Sequence, residues 1–104
     1  MEKFGSFVKA KREQLGMTQT ELGALLHINS SALSRIENGV KPFSKKKLEL
    51  LSSSLKVDYQ EIKDLFFASK FAQDVANYQC SESVFQLAEE SYNYISLKRT
   101  QNGK

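Results

Sequence analysis

The stretch from Thr18 to Gly39 constrains this chain more than any other part of its sequence, because it predicts two short helices separated by a tight break. Thr18 and Glu21 have the spacing of a capping box, in which the threonine caps the helix and the glutamate reaches back to the threonine. Asn29 can cap a second helix, which ends at Asn38 and Gly39. A break of roughly three to four residues forces the second helix to cross the first steeply.

Apolar residues at helical spacing predict further short helices on both sides of this stretch. The first helix is expected from Ser6 to Leu15, with Gly16 as a left-handed stop. A fourth helix is expected after a cap at Ser44, and a fifth begins at Asp58, with Glu61 three residues later. The predicted buried positions of helices two to five are Leu22, Leu25, Leu26, Leu33, Ile36, Leu48, Leu51, Leu55, Ile62, Leu65 and Phe66.

The helical pattern continues beyond the fifth helix, through Phe67, Phe71 and Val75, as one bent helix. Ser81 or Ser83 is expected to open a last helix, and residues 100–104 are expected to be frayed. The chain shows no strand-like alternation, so we expect an all-α protein. The apolar stripe of the last helix is predicted to consist of Val84, Leu87, Ala88 and Ile95.

The composition excludes several classes of protein. A hydrophobic content of 40% and a charged content of 26% are ordinary for a globular protein. No apolar run approaches the ~20 residues of a membrane span, and the N-terminus does not resemble a secretory signal, so we expect a cytoplasmic protein. The single Cys80 cannot form an internal disulfide, and the single His27 leaves no cluster for a metal, so no metal or cofactor is expected.

The charge of the chain is unevenly distributed. Residues 1–56 carry ten lysines and arginines against five acids, whereas residues 57–97 carry two lysines against seven acids. A basic front half beside an acidic back half indicates that only the front half faces a polyanion.

Two signatures, Thr18-Gln19-x-Glu21-Leu22 and Leu33-Ser34-Arg35-Ile36-Glu37-Asn38-Gly39, resemble the lambda repressor/Cro-like family, also called the XRE family. The resemblance covers about Lys3 to Leu65, and the two signatures have the family's spacing without a gap. It implies a five-helix lambda-repressor-like DNA-binding domain, here residues 1–67, and a homodimer that binds a palindromic double-stranded DNA operator. Residues 68–104 exceed this domain and are expected to form a C-terminal helical extension.

One position departs from the family pattern. The turn between helices two and three commonly holds glycine, and here it holds His27. Histidine enters the region of positive φ at tolerable cost, so we expect the turn to survive. Gly23 is expected to lie where the two helices approach most closely, because only a small residue fits there.

The resemblance implies that the second helix of the motif lies in the major groove and that its outward residues read bases. Arg35 is the candidate for reading guanine, since its guanidinium can donate to O6 and N7 together. Ser30, Ser31 and Ser34 are short and would contact nearby base edges, phosphates or bridging water. For Ser30, capping and solvation explain the residue equally well.

Phosphate contacts are implied on either side of that helix. Gln19 is expected to bond a phosphate without reading sequence, and main-chain donors with a cluster of lysines after the helix would make affinity salt-dependent. A solvated charge run is the alternative for the lysines. Glu37 is expected to make a structural contact, and Lys9 and Arg12 are secondary candidates for flanking phosphates. The expected phosphate-binding set is Gln19, Asn38, Lys41, Lys45, Lys46 and Lys47.

The extension is acidic, which argues against DNA contact there. Its apolar and aromatic side chains are too numerous to remain in water, since burying each is worth about 1.5–3 kcal/mol. We expect it to build or reinforce a homodimer interface. Packing on helices one and five is the alternative, and a protein partner such as a toxin is a third interpretation.

These features favour a sequence-specific transcriptional repressor or regulator, associated with the nucleoid. An antitoxin or a restriction–modification controller would use the same motif, and a protein-interaction module that has lost DNA binding is a further alternative. No paired acid and base, phosphate-cradling glycine loop or activated nucleophile occurs, so we do not expect an enzyme.

Overall fold

The computed structural model describes residues 1–102, in which the chain forms six α-helices and no strand. Their bounds are α1 Glu2–Gln14, α2 Gln19–Leu26, α3 Ser30–Glu37, α4 Leu48–Leu55, α5 Tyr59–Asn77 and α6 Ser83–Asn102, with a 3₁₀ turn at Lys45–Lys47 before α4. The all-α prediction is confirmed. Within the described residues, no helix has both the length and the apolar character that a bilayer span requires.

The chain divides into two compact units. Met1–Gln73 is the first, and the chain from Asp74 onward is the second. The division falls inside α5, which runs unbroken past the predicted domain boundary at residue 67 and so confirms the predicted continuation of the fifth helix through Val75.

One hydrophobic cluster forms the core of the first unit. Phe4 lies at its centre, with its ring 5.3 Å from the ring of Phe66 in an edge-to-face arrangement and 6.0 Å from that of Phe43. Most of the predicted positions are buried, but Leu25 is 49% exposed, so that prediction is wrong. The buried hydrophobic residues are Phe4, Val8, Leu22, Leu26, Leu33, Ile36, Phe43, Leu48, Leu51, Leu55, Ile62 and Phe66.

Helix α1 begins at Glu2, earlier than the predicted Ser6. This first turn contains Gly5, where an added Cβ would collide with the main-chain carbonyl oxygens of Ile36 and Glu37, the second at 2.5 Å. Glycine is a poor helix former, which conceals the first turn from a sequence pattern. Its missing side chain lets α1 lie directly against the end of α3.

The break between α2 and α3 has the predicted geometry. Thr18 and Glu21 form the capping box of α2, and the Asn29 side chain accepts a hydrogen bond from the amide of Ala32 at 2.7 Å. His27 adopts the left-handed conformation with φ of 61°, as predicted. The amide of the next residue, Ile28, donates to the carbonyl of Gly23 at 2.9 Å and closes the end of α2.

Gly23 is required by this turn rather than by the two helices. A Cβ at Gly23 would lie 2.6 Å from the carbonyl oxygen of Ile28, which is a residue of the turn itself. The prediction that this position needs a small residue is therefore correct, but the group that approaches it is the backbone of the turn and not the other helix.

The start of the fourth helix differs from the prediction. Ser44 makes no side-chain capping bond, and it precedes the 3₁₀ turn instead of α4. Lys47 links this turn to the end of α2, since its ammonium donates to the carbonyl of Leu26 at 2.8 Å and to that of His27 at 3.4 Å. A cation at the carbonyl end of α2 is favoured by the helix dipole as well as by the hydrogen bonds.

The second unit is dominated by α6, which begins at Ser83 as one of the two predicted starts. Within the described part of α6, no residue is buried. Of the predicted stripe, Val84 and Ala88 are half-buried, whereas Leu87 is 58% and Ile95 53% exposed. The predicted frayed tail is helical as far as Asn102, and residues 103–104 lie outside the described part of the chain.

Replacing Gly5 with alanine tests the packing of α1 on α3. Helix propensity alone would stabilise the protein by up to about 1 kcal/mol. The collision with two carbonyl oxygens should instead lower the free energy of unfolding by about 1–3 kcal/mol in urea denaturation. The control is Ser6→Ala, an exposed neighbour in the same helix, which should change stability by less than about 0.5 kcal/mol. A Gly5→Ala protein as stable as wild type would contradict the close approach.

Candidate nucleic-acid interface

Helix α3 has two sharply different faces. Leu33, Ile36 and Glu37 are buried in the first unit, whereas Ser30, Ser31 and Arg35 are exposed on the other side. The Arg35 guanidinium has no hydrogen-bond or ion-pair partner among the side chains that the structure describes, residues 1–100. Ser34 is half-buried beside this exposed face. The predicted base-reading residues therefore share one side of α3, and that side is open to a ligand.

The buried end of α3 is held by an ion pair. Arg12 of α1 is 7% exposed and Glu37 is 3% exposed. The guanidinium donates from Nε to Oε2 of Glu37 at 2.7 Å and from Nη2 to Oε1 at 3.0 Å, a bidentate arrangement. Its remaining Nη1 donates to the carbonyl of Met17 at 2.8 Å. One side chain thus joins α1, the connection before α2 and the end of α3.

The hydrogen bond to Glu37 raises the pKa of Arg12 above its ordinary value, against the lowering effect of burial. The expectation of a structural contact for Glu37 is confirmed. The expectation of a flanking phosphate contact for Arg12 is wrong, because its donors are committed inside the protein.

Gln19, the first residue of α2, belongs to the same cluster. Its Nε2 donates to Oε1 of Glu37 at 3.1 Å, and the side chain is half-buried. The amide group has a second N–H, so this contact orients Gln19 and leaves one donor for a phosphate. The predicted role of Gln19 is compatible with this geometry and stays a prediction.

The loop after α3 corrects one expectation. The amides of Asn38, Gly39, Val40 and Lys41 all donate to carbonyls of α3, at 2.9–3.2 Å. Main-chain donors in the loop and at the start of the fourth helix were expected to bind phosphates. The structure uses these four to finish α3, so the expectation is wrong for them, and for the remaining donors it stays a prediction. The side chains of Asn38 and Lys41 are both exposed, and their phosphate contacts stay predictions.

The lysines divide into two groups. Lys41, Lys45 and Lys46 are exposed, and their ammonium groups have no hydrogen-bond or ion-pair partner in the described part of the chain. Lys47 is half-buried and donates to the end of α2, so it has a structural contact that the sequence did not suggest. The loop after α3 and the motif together line a depression of about 270 Å³. Its lining residues are Ile28, Ile36, Lys41, Pro42, Phe43, Ser44 and Lys47.

Sequence reasoning missed the two features that hold α3 in place. Gly5 carries no side chain, and the only signal was a glycine between Phe4 and Phe7 in an otherwise helical pattern. Arg12 and Glu37 are separated by 25 residues, so no local spacing relates them. The available signals were Arg12, which is a charged residue in the first helix, and Glu37, which is a carboxylate next to the predicted phosphate contact Asn38.

Changing Glu37 to glutamine should remove the charge that compensates Arg12. A buried guanidinium without its carboxylate costs about 3–5 kcal/mol, which urea unfolding followed by circular dichroism would measure. Glu13 offers a matched control, since its carboxylate lies 4.0 Å from the same guanidinium but its side chain is 58% exposed. Glu13→Gln should cost no more than about 1 kcal/mol. Similar destabilisation in the two variants would contradict the role given to the buried pair.

Comparison with known proteins agrees with this architecture. A family profile described as helix-turn-helix matches residues 8–62, which is more than half of the chain. The HTH-type transcriptional repressor RghR of Bacillus subtilis (strain 168) is 28% identical over 109 residues, an alignment that covers 100% of this chain and 78% of the repressor. Residues 8–62, which the family profile spans, include both helices of the motif, Arg12 and Glu37, and the lysines at 45–47. The chain therefore belongs to the helix-turn-helix family of the lambda repressor/Cro-like, or XRE, type.

Proposed function

We propose that this protein binds double-stranded DNA with sequence specificity and represses transcription as a homodimer on a palindromic operator, at the nucleoid in the cytoplasm. The observation that carries the proposal is the open side of α3. Ser30, Ser31 and Arg35 are exposed there, while the opposite side is held by the core and by the buried Glu37. A rigid helix with an open polar side is what major-groove recognition requires.

Arg35 carries most of the base recognition in this proposal. A free guanidinium can donate two hydrogen bonds to one guanine, and each such bidentate contact discriminates by about 1–3 kcal/mol. Ser30, Ser31 and Ser34 are too short to reach far into the groove. They contribute contacts to adjacent base edges, phosphates or bridging water.

Phosphate contacts fix the position of the domain on the duplex. Gln19, held by Glu37, presents one amide proton at the start of α2. The side chains of Asn38, Lys41, Lys45 and Lys46 form the second part of the set, next to the end of α3 in the chain. Lys47 contributes its charge, and its hydrogen bond to the carbonyl of Leu26 holds the 3₁₀ turn at Lys45–Lys47 against the end of α2.

Repression and dimerisation rest on different support. The relative RghR is described as a transcriptional repressor, and its similarity extends over the whole of this chain. A homodimer would match the two-fold symmetry of the proposed palindromic operator, whose half-sites would lie about 34 Å apart for adjacent major grooves. The exposed apolar side chains of α6 supply a surface for it.

The alternatives share the motif and differ in the partner. An antitoxin or a restriction–modification controller would use the same side of α3 and would differ in what the extension binds. A protein-interaction module without DNA binding does not require a free arginine on α3 or exposed lysines beside it. The open Arg35 therefore favours DNA binding.

Two substitutions of Arg35 separate base reading from simple charge. Arg35→Ala should weaken binding to the preferred duplex by about 10- to 100-fold per half-site and leave binding to a scrambled duplex within a few-fold. Arg35→Lys keeps the charge but lacks the planar fork, so it should lose most of the same preference. Fluorescence anisotropy on the two duplexes measures both. Equal weakening on preferred and scrambled DNA would mean that Arg35 binds phosphate only.

Salt dependence tests the phosphate contacts. The slope of log K against log salt concentration should become less steep by about 0.9 for each lysine–phosphate interaction that Lys45→Ala or Lys46→Ala removes. Lys70→Ala is the matched control, because it removes the same charge from an exposed position on α5, away from the motif. Its slope should equal that of wild type. A flat slope for the wild type, or the same slope for all four proteins, would contradict phosphate binding by these lysines.

A further inference from the structure

Helix α6 carries exposed apolar side chains. Leu87, Tyr94 and Leu97 lie on one side of the helix, where they are 58%, 63% and 59% exposed. Their separations of seven and three residues place them along one stripe of a helix. Apolar groups of this size in one stripe are characteristic of a helix that packs against another.

The charges on this side are arranged symmetrically. Glu90 and Lys98 each lie four residues from Tyr94, on the same side of the helix. The ammonium of Lys98 lies 5.9 Å from the centre of the Tyr94 ring, which shows that the two side chains share that side. A second helix running antiparallel, with its own Tyr94 opposite this one, would place Glu90 beside Lys98 of the other copy, twice. A parallel helix would place like charges together.

Ser91 is an uncharged polar residue within this stripe. Its Oγ donates to the carbonyl of Leu87 at 2.8 Å, inside the same helix. The hydroxyl therefore needs no partner from water, and covering it leaves no donor unsatisfied.

We propose that a second copy of this chain docks antiparallel on this side of α6, with the two-fold axis at Tyr94. The docking surface consists of Leu87, Glu90, Ser91, Tyr94, Leu97 and Lys98. An antiparallel pair of identical helices is an isologous contact, in which each residue meets its symmetric counterpart. The inference rests on the proposed homodimer and assigns its contact surface.

Sedimentation equilibrium of the full chain without DNA tests the surface. Tyr94→Glu places two carboxylates together at the two-fold axis and should raise the dimer dissociation constant at least about tenfold. Tyr92→Glu is the matched control, since Tyr92 is 67% exposed on the opposite side of the same helix, and it should leave the constant within about twofold. A wild type that stays monomeric, or equal effects of the two changes, overturns the proposal.

Exchange of the charges tests the antiparallel register. Glu90→Lys alone and Lys98→Glu alone each bring like charges together and should weaken the dimer. The double variant restores opposite charges across the axis and should return the dissociation constant to within a few-fold of wild type. A double variant as weak as the sum of the single variants overturns the register.

Cross-linking tests the orientation. In a Cys80→Ser background, Tyr94→Cys should be joined to its counterpart by a short bismaleimide. Leu87→Cys should not, because its two copies would lie about 21 Å apart along antiparallel helices. Efficient linkage through Leu87→Cys indicates parallel helices and overturns the proposal. These measurements need no DNA, so a dimer that ignores DNA would contradict the proposed function and leave this surface standing.

Discussion

The buried ion pair between Arg12 and Glu37 is the interaction on which the geometry of the motif depends. Burying either charge alone would be strongly unfavourable, so the pair is stable only in an arrangement that brings α1 and the end of α3 together. Arg12 also bonds the carbonyl of Met17, and Gln19 bonds Glu37. Gly5 removes the side chain that would keep the two helices apart. The end of α3 therefore has a single position.

A fixed α3 matters because recognition depends on where its open side points. Arg35 can address a guanine only if the helix enters the groove at a defined depth and angle. The core sets the depth through Leu33 and Ile36, while the ion pair and Gln19 set the position of α3 relative to α2. The same cluster thus stabilises the domain and orients Gln19, a predicted phosphate contact.

Local features of the site were predictable because they depend on residues close in the sequence. The capping box at Thr18, the Asn29 cap and the left-handed His27 all follow from side chains and backbone within a few positions. Features that depend on distant residues were not. The early start of α1, the exposure of Leu25, the contact of Lys47 with α2 and the internal use of Arg12 arise from packing between helices that no local pattern describes. The four main-chain donors directly after α3 were misassigned for the same reason, since their partners became evident only once the helix ending was known.

The most direct test of the account is selection of bound duplexes from a random pool by the wild-type protein at low ionic strength. The account predicts enrichment of an inverted repeat whose half-sites lie about one helical turn apart and contain at least one guanine each. Recovery of unenriched sequences would contradict sequence recognition by α3, and failure to retain any duplex would contradict DNA binding itself.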